Sequence, residues 1–232
     1  MKRIGLIIPA SNRMVEQEMT RVLPPGTTAH VARLRMTGEF ERPIDQLLPS
    51  VAEAVGTLDD ARCEAIAFHC TANSTGEGRA GEQRLLAAMR TASRGSVTTT
   101  ATAIRAALDV LRARRIALVT PYSRAVTEHE AEFFNGAGYS VTACSALDLG
   151  GSDEFCAAPP ATWEGALSAA RDDDVDAYVL SCANIACFDV IEPMERALGR
   201  PIITSNQSVL WAMLRSIGAA RPRGLGALMH AS

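Results

Sequence analysis

No stretch of this 232-residue chain stays apolar for the roughly 18 residues that a membrane span needs. The reading therefore expects no membrane association. Nor is there an excess of charge of one sign: 23 basic side chains meet 26 acidic ones, a net charge of −3. A chain so near neutrality lacks the electrostatic footprint of a nucleic-acid binder. The cysteines form no C-x-x-C pair, and His30, His69, His129 and His230 are scattered, so zinc-ligand spacing is missing. The phosphate-loop pattern G-x-x-x-x-G-K-[ST] is missing too, and the reading expects no dinucleotide-loop G-x-G-x-x-G either. The opening residues are basic and then apolar, but the apolar part is too short for a signal-peptide core and runs into polar Ser11-Asn12-Arg13. Without an export signal, the six cysteines are expected in a reducing cytoplasm, as thiols and not as staples.

What is present is ordinary globular material, 47% hydrophobic and 21% charged, enough for one to two domains. Short apolar runs alternate with longer amphipathic stretches. Residues 4–8, 29–34, 65–69, 97–99, 116–120, 139–143, 177–181 and 202–204 read as strands. Residues 14–22, 44–58, 81–91, 101–112, 125–134, 163–171, 188–198 and 209–217 read as helices. That alternation predicts βαβ units and parallel sheets, an α/β fold.

The chain also resembles itself. The run from Arg3 to Ser11 aligns with that from Arg115 to Ser123, a shift of 112 positions. The same shift of 112 carries Glu64 to Cys70 onto Asp176 to Cys182. Two strand-to-loop corners repeating at one offset predict two similar parallel-sheet halves related by a pseudo-twofold axis. They are residues 1–100 with Cys70 and 101–232 with Cys182, the C-terminal tail being free to pack back on the first half. Ligands of open α/β sheets collect beyond the carboxyl ends of strands. The corners at Asn12, Cys70, Tyr122 and Cys182 are therefore expected around one cleft between the halves, with the two thiols facing each other.

A thiol suits carbon chemistry. Its thiolate is a strong nucleophile, and a helix N-terminus or nearby dipoles can bring its pKa into the physiological range. Two thiols across a small acid allow one to attack or deprotonate while the other returns a proton. Surrounding hydroxyls and amides can hold carboxylates and the charge that develops on them. No metal and no organic cofactor is required.

Paired strand-end cysteines in a duplicated α/β chain resemble the aspartate/glutamate racemase superfamily. Arg3 through Asn12, the run Glu16-Gln17-Glu18-Met19, Arg33-Leu34-Arg35-Met36 and Val119-Thr120-Pro121-Tyr122 are similar to maleate cis-trans isomerases. Ser181-Cys182-Ala183-Asn184, the run from Asp189 to Arg196 and Gly199-Arg200-Pro201-Ile202 are similar to arylmalonate decarboxylases. The resemblance covers nearly the whole chain. It places Cys70 at the first catalytic cysteine of the isomerases and racemases, where the decarboxylases carry glycine. It places Cys182 at the second, which the decarboxylases keep as proton donor. Asn12 and Tyr122 match carboxylate contacts of the isomerases, and Thr71 an oxyanion-binding threonine of the decarboxylases; Ala183 and Asn184 supply groups after Cys182. Ser152 stands where the isomerases have a further substrate-binding asparagine, and Ala72 where the decarboxylases have serine, so neither pocket is copied whole.

The resemblance implies a cofactor-independent isomerase of a small carboxylic acid. Cys70 adds to an alkene, Cys182 protonates the adjacent carbon, and rotation followed by elimination releases the trans acid. A racemase using both thiols as acid and base, a decarboxylase using Cys182 alone, and a non-catalytic acid-binding protein stay open, as does a homo-oligomer. The remaining cysteines, Cys63, Cys144, Cys156 and Cys187, read as small buried hydrophobes. Alternation turns His69 away from Cys70 as a structural histidine. Asn12 also fits the cap of the helix that follows it. Arg124 reads equally as an acid binder or a helix start. Changes at Asn12 or Tyr122 are expected to weaken substrate use with little loss of stability.

Overall fold

Strands that read as near-continuous apolar runs must bury both faces, so helices are needed on both sides of the sheet. The computed structural model, which describes residues 1–231, has this arrangement. The first part of the chain forms β1 (Lys2–Pro9), α1 (Val15–Val22), β2 (Thr27–Leu34), α2 (Ile44–Asp60) and β3 (Ala65–Phe68). It continues with α3 (Thr71–Thr75), α4 (Gly78–Ala92), β4 (Ser96–Thr99) and α5 (Thr100–Val110). Then come β5 (Arg115–Thr120), α6 (Arg124–Gly136), β6 (Ser140–Ala146), α7 (Ser152–Ala157) and α8 (Pro160–Ala169). The chain closes with β7 (Ala177–Leu180), α9 (Phe188–Leu198), β8 (Ile202–Thr204) and α10 (Ser205–Ser216).

Among the described residues the strands form two parallel four-stranded sheets, ordered β2-β1-β3-β4 and β6-β5-β7-β8. The sequence repeat is a repeat of register. Ile4 lies opposite Ala65 in the first sheet, and Ile116 opposite Ala177 in the second. At the strand ends His69 N–H donates to the Ile7 carbonyl at 2.7 Å and Ser181 N–H to the Val119 carbonyl at 2.8 Å. Cys70 and Cys182 therefore leave their sheets at equivalent corners, two residues past the ends of β3 and β7.

Alternation along β1 sends its side chains to two cores. Ile4, Leu6 and Ile8 join a large cluster that continues through the second sheet to Trp211. Ile7 points the other way, with Ile66 and Phe68, against Leu47, Val51 and Leu85 on α2 and α4. Gly5 shares that second face. A Cβ there would sit 3.1 Å from Leu58 Cδ1 and 3.2 Å from Ile66 Cγ1, so its absence lets α2 approach closely.

The helices α5 and α10 start alike. Thr99 caps α5 by accepting the Thr102 N–H, and Thr204 forms a reciprocal box with Gln207 at the start of α10. The two helices pack together, and α10 also lies along β3 and β4. Among the described residues no helix is long and apolar enough to cross a membrane. The strand and helix reading holds throughout in order. It misses α3 and α7, five and six residues long, because one turn of helix leaves no periodicity to read.

Candidate active site

The carboxyl ends of β1, β3, β5 and β7 open onto one cavity of about 1040 Å³. It is lined by Asn12, Cys70, Thr71, Tyr122, Cys182, Ala183 and Asn184, so every residue singled out from the sequence as catalytic or substrate-binding borders the same space. Ser152 lines it as well, whereas Arg124 does not; that guanidinium is exposed and paired with Glu128 at 2.7 Å.

Cys70 is 5% exposed and directly precedes α3, whose Ala72 and Asn73 N–H groups face its sulfur. Those dipoles favour the thiolate, but burial outweighs them and pushes the thiol up to about 11. Cys182 is 3% exposed, and its sulfur accepts the Asn184 N–H at 3.3 Å. Burial pushes it up to about 12; the Tyr122 hydroxyl beside it and the Asn184 N–H pull the other way, and a charge on Cys70 pushes it higher. The expected lowering of thiol pKa is thus not what the cavity provides. Desolvation is the larger effect at both sulfurs.

Asn12 is 1% exposed and heavily used. Its side-chain oxygen accepts the N–H groups of Met14 and Val15 at 3.1 and 3.0 Å, capping α1, and its amide nitrogen donates to the Ala183 carbonyl at 2.9 Å. One amide hydrogen is left for a ligand. The expectation that Asn12 is thermodynamically dispensable is therefore corrected: it ties the two sheets' corners together. Thr71, also 1% exposed, shares a hydrogen bond with Ser205 on α10 at 2.9 Å. The ring of Tyr122 stands edge-on to Phe155, with centroids 5.8 Å apart, and burial lifts its phenol well above the ordinary value.

Asn184 has a defined orientation. Its side-chain oxygen accepts the Arg13 N–H at 2.8 Å and the Cys156 thiol at 3.1 Å. The amide flip is fixed by that network. The nitrogen Nδ2 is left buried with no hydrogen-bond partner, on a residue that lines the cavity.

Behind the cavity lies a buried polar chain that the sequence reading did not anticipate. Glu18 on α1 accepts the N–H groups of Cys187 and Phe188 at 2.6 and 2.7 Å and the amide of Asn206 at 2.7 Å. Burial raises its pKa, and these donors oppose the rise. Because Asn206 donates to Glu18, its oxygen is the acceptor toward His69 Nε2 at 3.0 Å. His69 thus carries its proton on Nε2, and Nδ1 accepts from Thr100 at 2.9 Å. Burial lowers this imidazole to about 4, so it stays neutral, and it does not line the cavity. Glu130 on α6 is also buried; it accepts from Ser181, its second oxygen has no partner, and burial raises it to about 8. Helical patterning cannot separate such carboxylates from solvent-facing ones.

The remaining cysteines divide. Cys63 and Cys187 are buried, as expected, but Cys144 on β6 is exposed and Cys156 half-buried. β6 is an edge strand, which leaves one flank uncovered. Among the described residues no group of three or more His, Cys, Asp or Glu side chains is placed to hold a metal ion. The expectation that G-x-G-x-x-G is absent is corrected: the run Gly76-Glu77-Gly78-Arg79-Ala80-Gly81 matches it. It joins α3 to α4, so it lacks the strand-to-helix setting of a dinucleotide loop.

Residues 4–229 match the family profile described as arylmalonate decarboxylase. A maleate isomerase of Nocardia farcinica is 30% identical over 229 residues, covering 93% of this chain and 90% of its own. An arylmalonate decarboxylase of Bordetella bronchiseptica is 30% identical over 238 residues, covering 99% and 97%. Among solved structures, a Cys-to-Ser mutant of the Nocardia farcinica maleate cis-trans isomerase with a covalently bound succinylcysteine intermediate superimposes with a TM-score of 0.89. It is 27% identical, with 98% of each chain covered.

Proposed function

The chain belongs to the arylmalonate decarboxylase family, and from that membership and its two thiols we propose that it is a cofactor-independent cis–trans isomerase of a small unsaturated dicarboxylic acid. One observation carries the reading. Two cysteines at corners equivalent by the 112-position repeat border one cavity, together with neutral hydrogen-bond donors.

Cys70 is the nucleophile. It loses its proton to solvent, and the thiolate adds to one alkene carbon. A C–S bond forms, and the alkene electron pair moves to the neighbouring carbon and its carboxylate. Asn12, Thr71, Tyr122, Asn184 and the Ala183 corner hold the carboxylates and the developing charge. The Cys182 thiol gives its proton to that carbon, leaving a succinyl thioether on Cys70. The former double bond is now single and rotates. The Cys182 thiolate then takes the proton back, the C–S bond breaks, and the trans acid leaves. The Nocardia farcinica succinylcysteine structure supports this sequence of steps.

The experiment uses maleate as probe, with proton NMR in deuterium oxide and peptide mass spectrometry. Cys70→Ser should abolish turnover and covalent labelling. Cys182→Ser should slow turnover about 10²–10⁴-fold, the usual worth of a placed proton donor, while the substrate mass remains on Cys70. An adduct on Cys182 reverses the roles. Solvent deuterium entering the α-carbon of aspartate, glutamate or a hydantoin, with maleate unchanged and no adduct, replaces the isomerase with a racemase. Release of carbon dioxide from a substituted malonate, with full activity in Cys70→Ser, replaces it with a single-thiol decarboxylase.

A further inference from the structure

The cavity is larger than a four-carbon diacid needs. At about 1040 Å³ it lies at the upper end of the range for drug-sized ligands. Its walls are of two kinds. The donors sit at the thiol end: Asn12, Thr71, Tyr122 and Asn184. Met36, Phe40, Val126 and Phe155 make up an apolar part of the wall.

Two of those side chains are exposed where exposure is unfavourable. Among the described residues only Met1, Phe40 and Val126 are exposed large hydrophobics, and Phe40 and Val126, at 40% and 41%, both border this cavity. They come from separate parts of the chain, one between β2 and α2 and the other on α6. Single exposed apolar side chains need no explanation, but two that border one cavity give its wall solvent-facing apolar surface that an apolar ligand group would cover.

The charged side chains of this region are of both signs: Glu39 and Glu41 line it, and so does Arg35, whose guanidinium lies over the Phe40 ring, 5.1 Å from its centroid. At the other end, Asn184 Nδ2 is a buried donor with no partner, its direction fixed by the bonds to Arg13 and Cys156. A carboxylate drawn to that donor keeps the alkene beside the thiols, and a substituent on the alkene is left the apolar wall.

We propose that the substrate is an enedioate bearing an apolar substituent, alkyl or aryl, on one alkene carbon, with the substituent against Phe40, Val126 and Phe155. This rests on the isomerase reading above and narrows its substrate class. The chemistry is unchanged, because the substituent takes no part in bond making. Cys70 adds to the unsubstituted carbon, which is the less crowded one.

The test compares maleate, 2-methylmaleate, 2-phenylmaleate and the carboxymethyl-substituted maleate as substrates of the full chain. A single methylene in an apolar pocket is worth about tenfold or more in kcat/KM. The phenyl compound should therefore exceed maleate by at least about tenfold, with methyl between them and carboxymethyl below the phenyl compound. Phe40→Asn and Val126→Asn, both at exposed positions, should each lower the phenyl-to-maleate ratio severalfold. Turnover of maleate at an equal or higher kcat/KM than the phenyl compound overturns the proposal and leaves the isomerase reading standing. If no enedioate is turned over, the isomerase reading fails, and a binding readout decides the substituent separately. Phenylsuccinate should protect Cys70 from iodoacetamide at a concentration at least about tenfold lower than succinate. Equal protection by the two overturns the proposal.

Discussion

The side-chain amide of Asn12 reaches the Ala183 carbonyl at 2.9 Å, so the loop after β1 is bonded to the loop that carries Cys182. The same side chain caps α1. Asn12→Ala removes a cap worth about 1 kcal/mol and a buried hydrogen bond worth about 1 kcal/mol, leaving the Ala183 carbonyl unpaired. A loss of about 2–3 kcal/mol should appear as a melting-temperature drop of roughly 5–10 °C. Tyr122→Phe keeps the edge-on contact with Phe155 and should melt within about a degree of the wild type, while KM rises about tenfold for one lost hydrogen bond. Differential scanning calorimetry beside steady-state kinetics separates the two; equal melting temperatures would remove the tie.

The thiols predict a pH dependence. With Cys70 pushed up to about 11, the thiolate is a minor species at neutral pH. Alkylation of Cys70 by iodoacetamide should climb about tenfold per pH unit between pH 7 and 10. In urea-unfolded protein the same cysteine should approach its plateau near the free-thiol value, about 8.5. A plateau near pH 7 in the native protein would mean that the α3 amides outweigh desolvation.

Glu130 couples stability to pH in the opposite sense to a salt-bridged carboxylate. Its folded pKa, about 8, lies above the ordinary 4.5. Between these values the folded state holds the proton more tightly, so stability falls as pH rises and levels off above about 8. Glu130→Gln keeps an acceptor for Ser181 and removes the ionisation. Urea titrations from pH 5 to 9 should show the slope in the wild type and little of it in the variant, which should be the more stable protein at pH 9. Parallel curves would place the carboxylate's charge elsewhere.

Glu18 braces the loop after Cys182 from the far side. Glu18→Ala strands the Cys187 and Phe188 N–H groups and the Asn206 amide, each costing about 1–3 kcal/mol when buried without a partner. Hydrogen exchange should show protection lost first at residues 183–188. Glu18→Gln retains one acceptor and should lose less. Uniform loss across the chain in Glu18→Ala would make the carboxylate a general core group.

Much of this was legible because two signals are carried by the chain itself. Apolar runs such as residues 4–8 and 116–120 mark buried parallel strands, and the fixed offset between Cys70 and Cys182 marks equivalent corners. The rest depends on packing that no local pattern encodes. Phe40 and Val126 become neighbours of one cavity only when the β2–α2 connection and α6 meet there. Glu18 and Glu130 sit on helices whose other carboxylates are exposed, so their burial is decided by what packs above them. The direction of Asn184 Nδ2 follows from Arg13, far away in sequence. The thiol acidity inverts the sequence-level expectation because desolvation depends on enclosure, which the sequence does not state.

The placement of α10 bears on how the chain is made. The strands β1 to β4 are all synthesised by residue 99, but the helix that lies along β3 and β4 ends at Ser216. At typical ribosome speeds that interval lasts roughly 6–23 s. During it the face carrying Ile4, Leu6 and Ala67 is covered only by residues made earlier, Val15 and Met19 on α1 and Ala101 and Ile104 on α5, and lacks the part of its core that α10 supplies, Leu210 and Trp211 among it. The core of the first sheet is therefore completed only by the last long helix of the chain. A truncation before α10 removes core from both sheets, not only the second, because the helix fills the space they share.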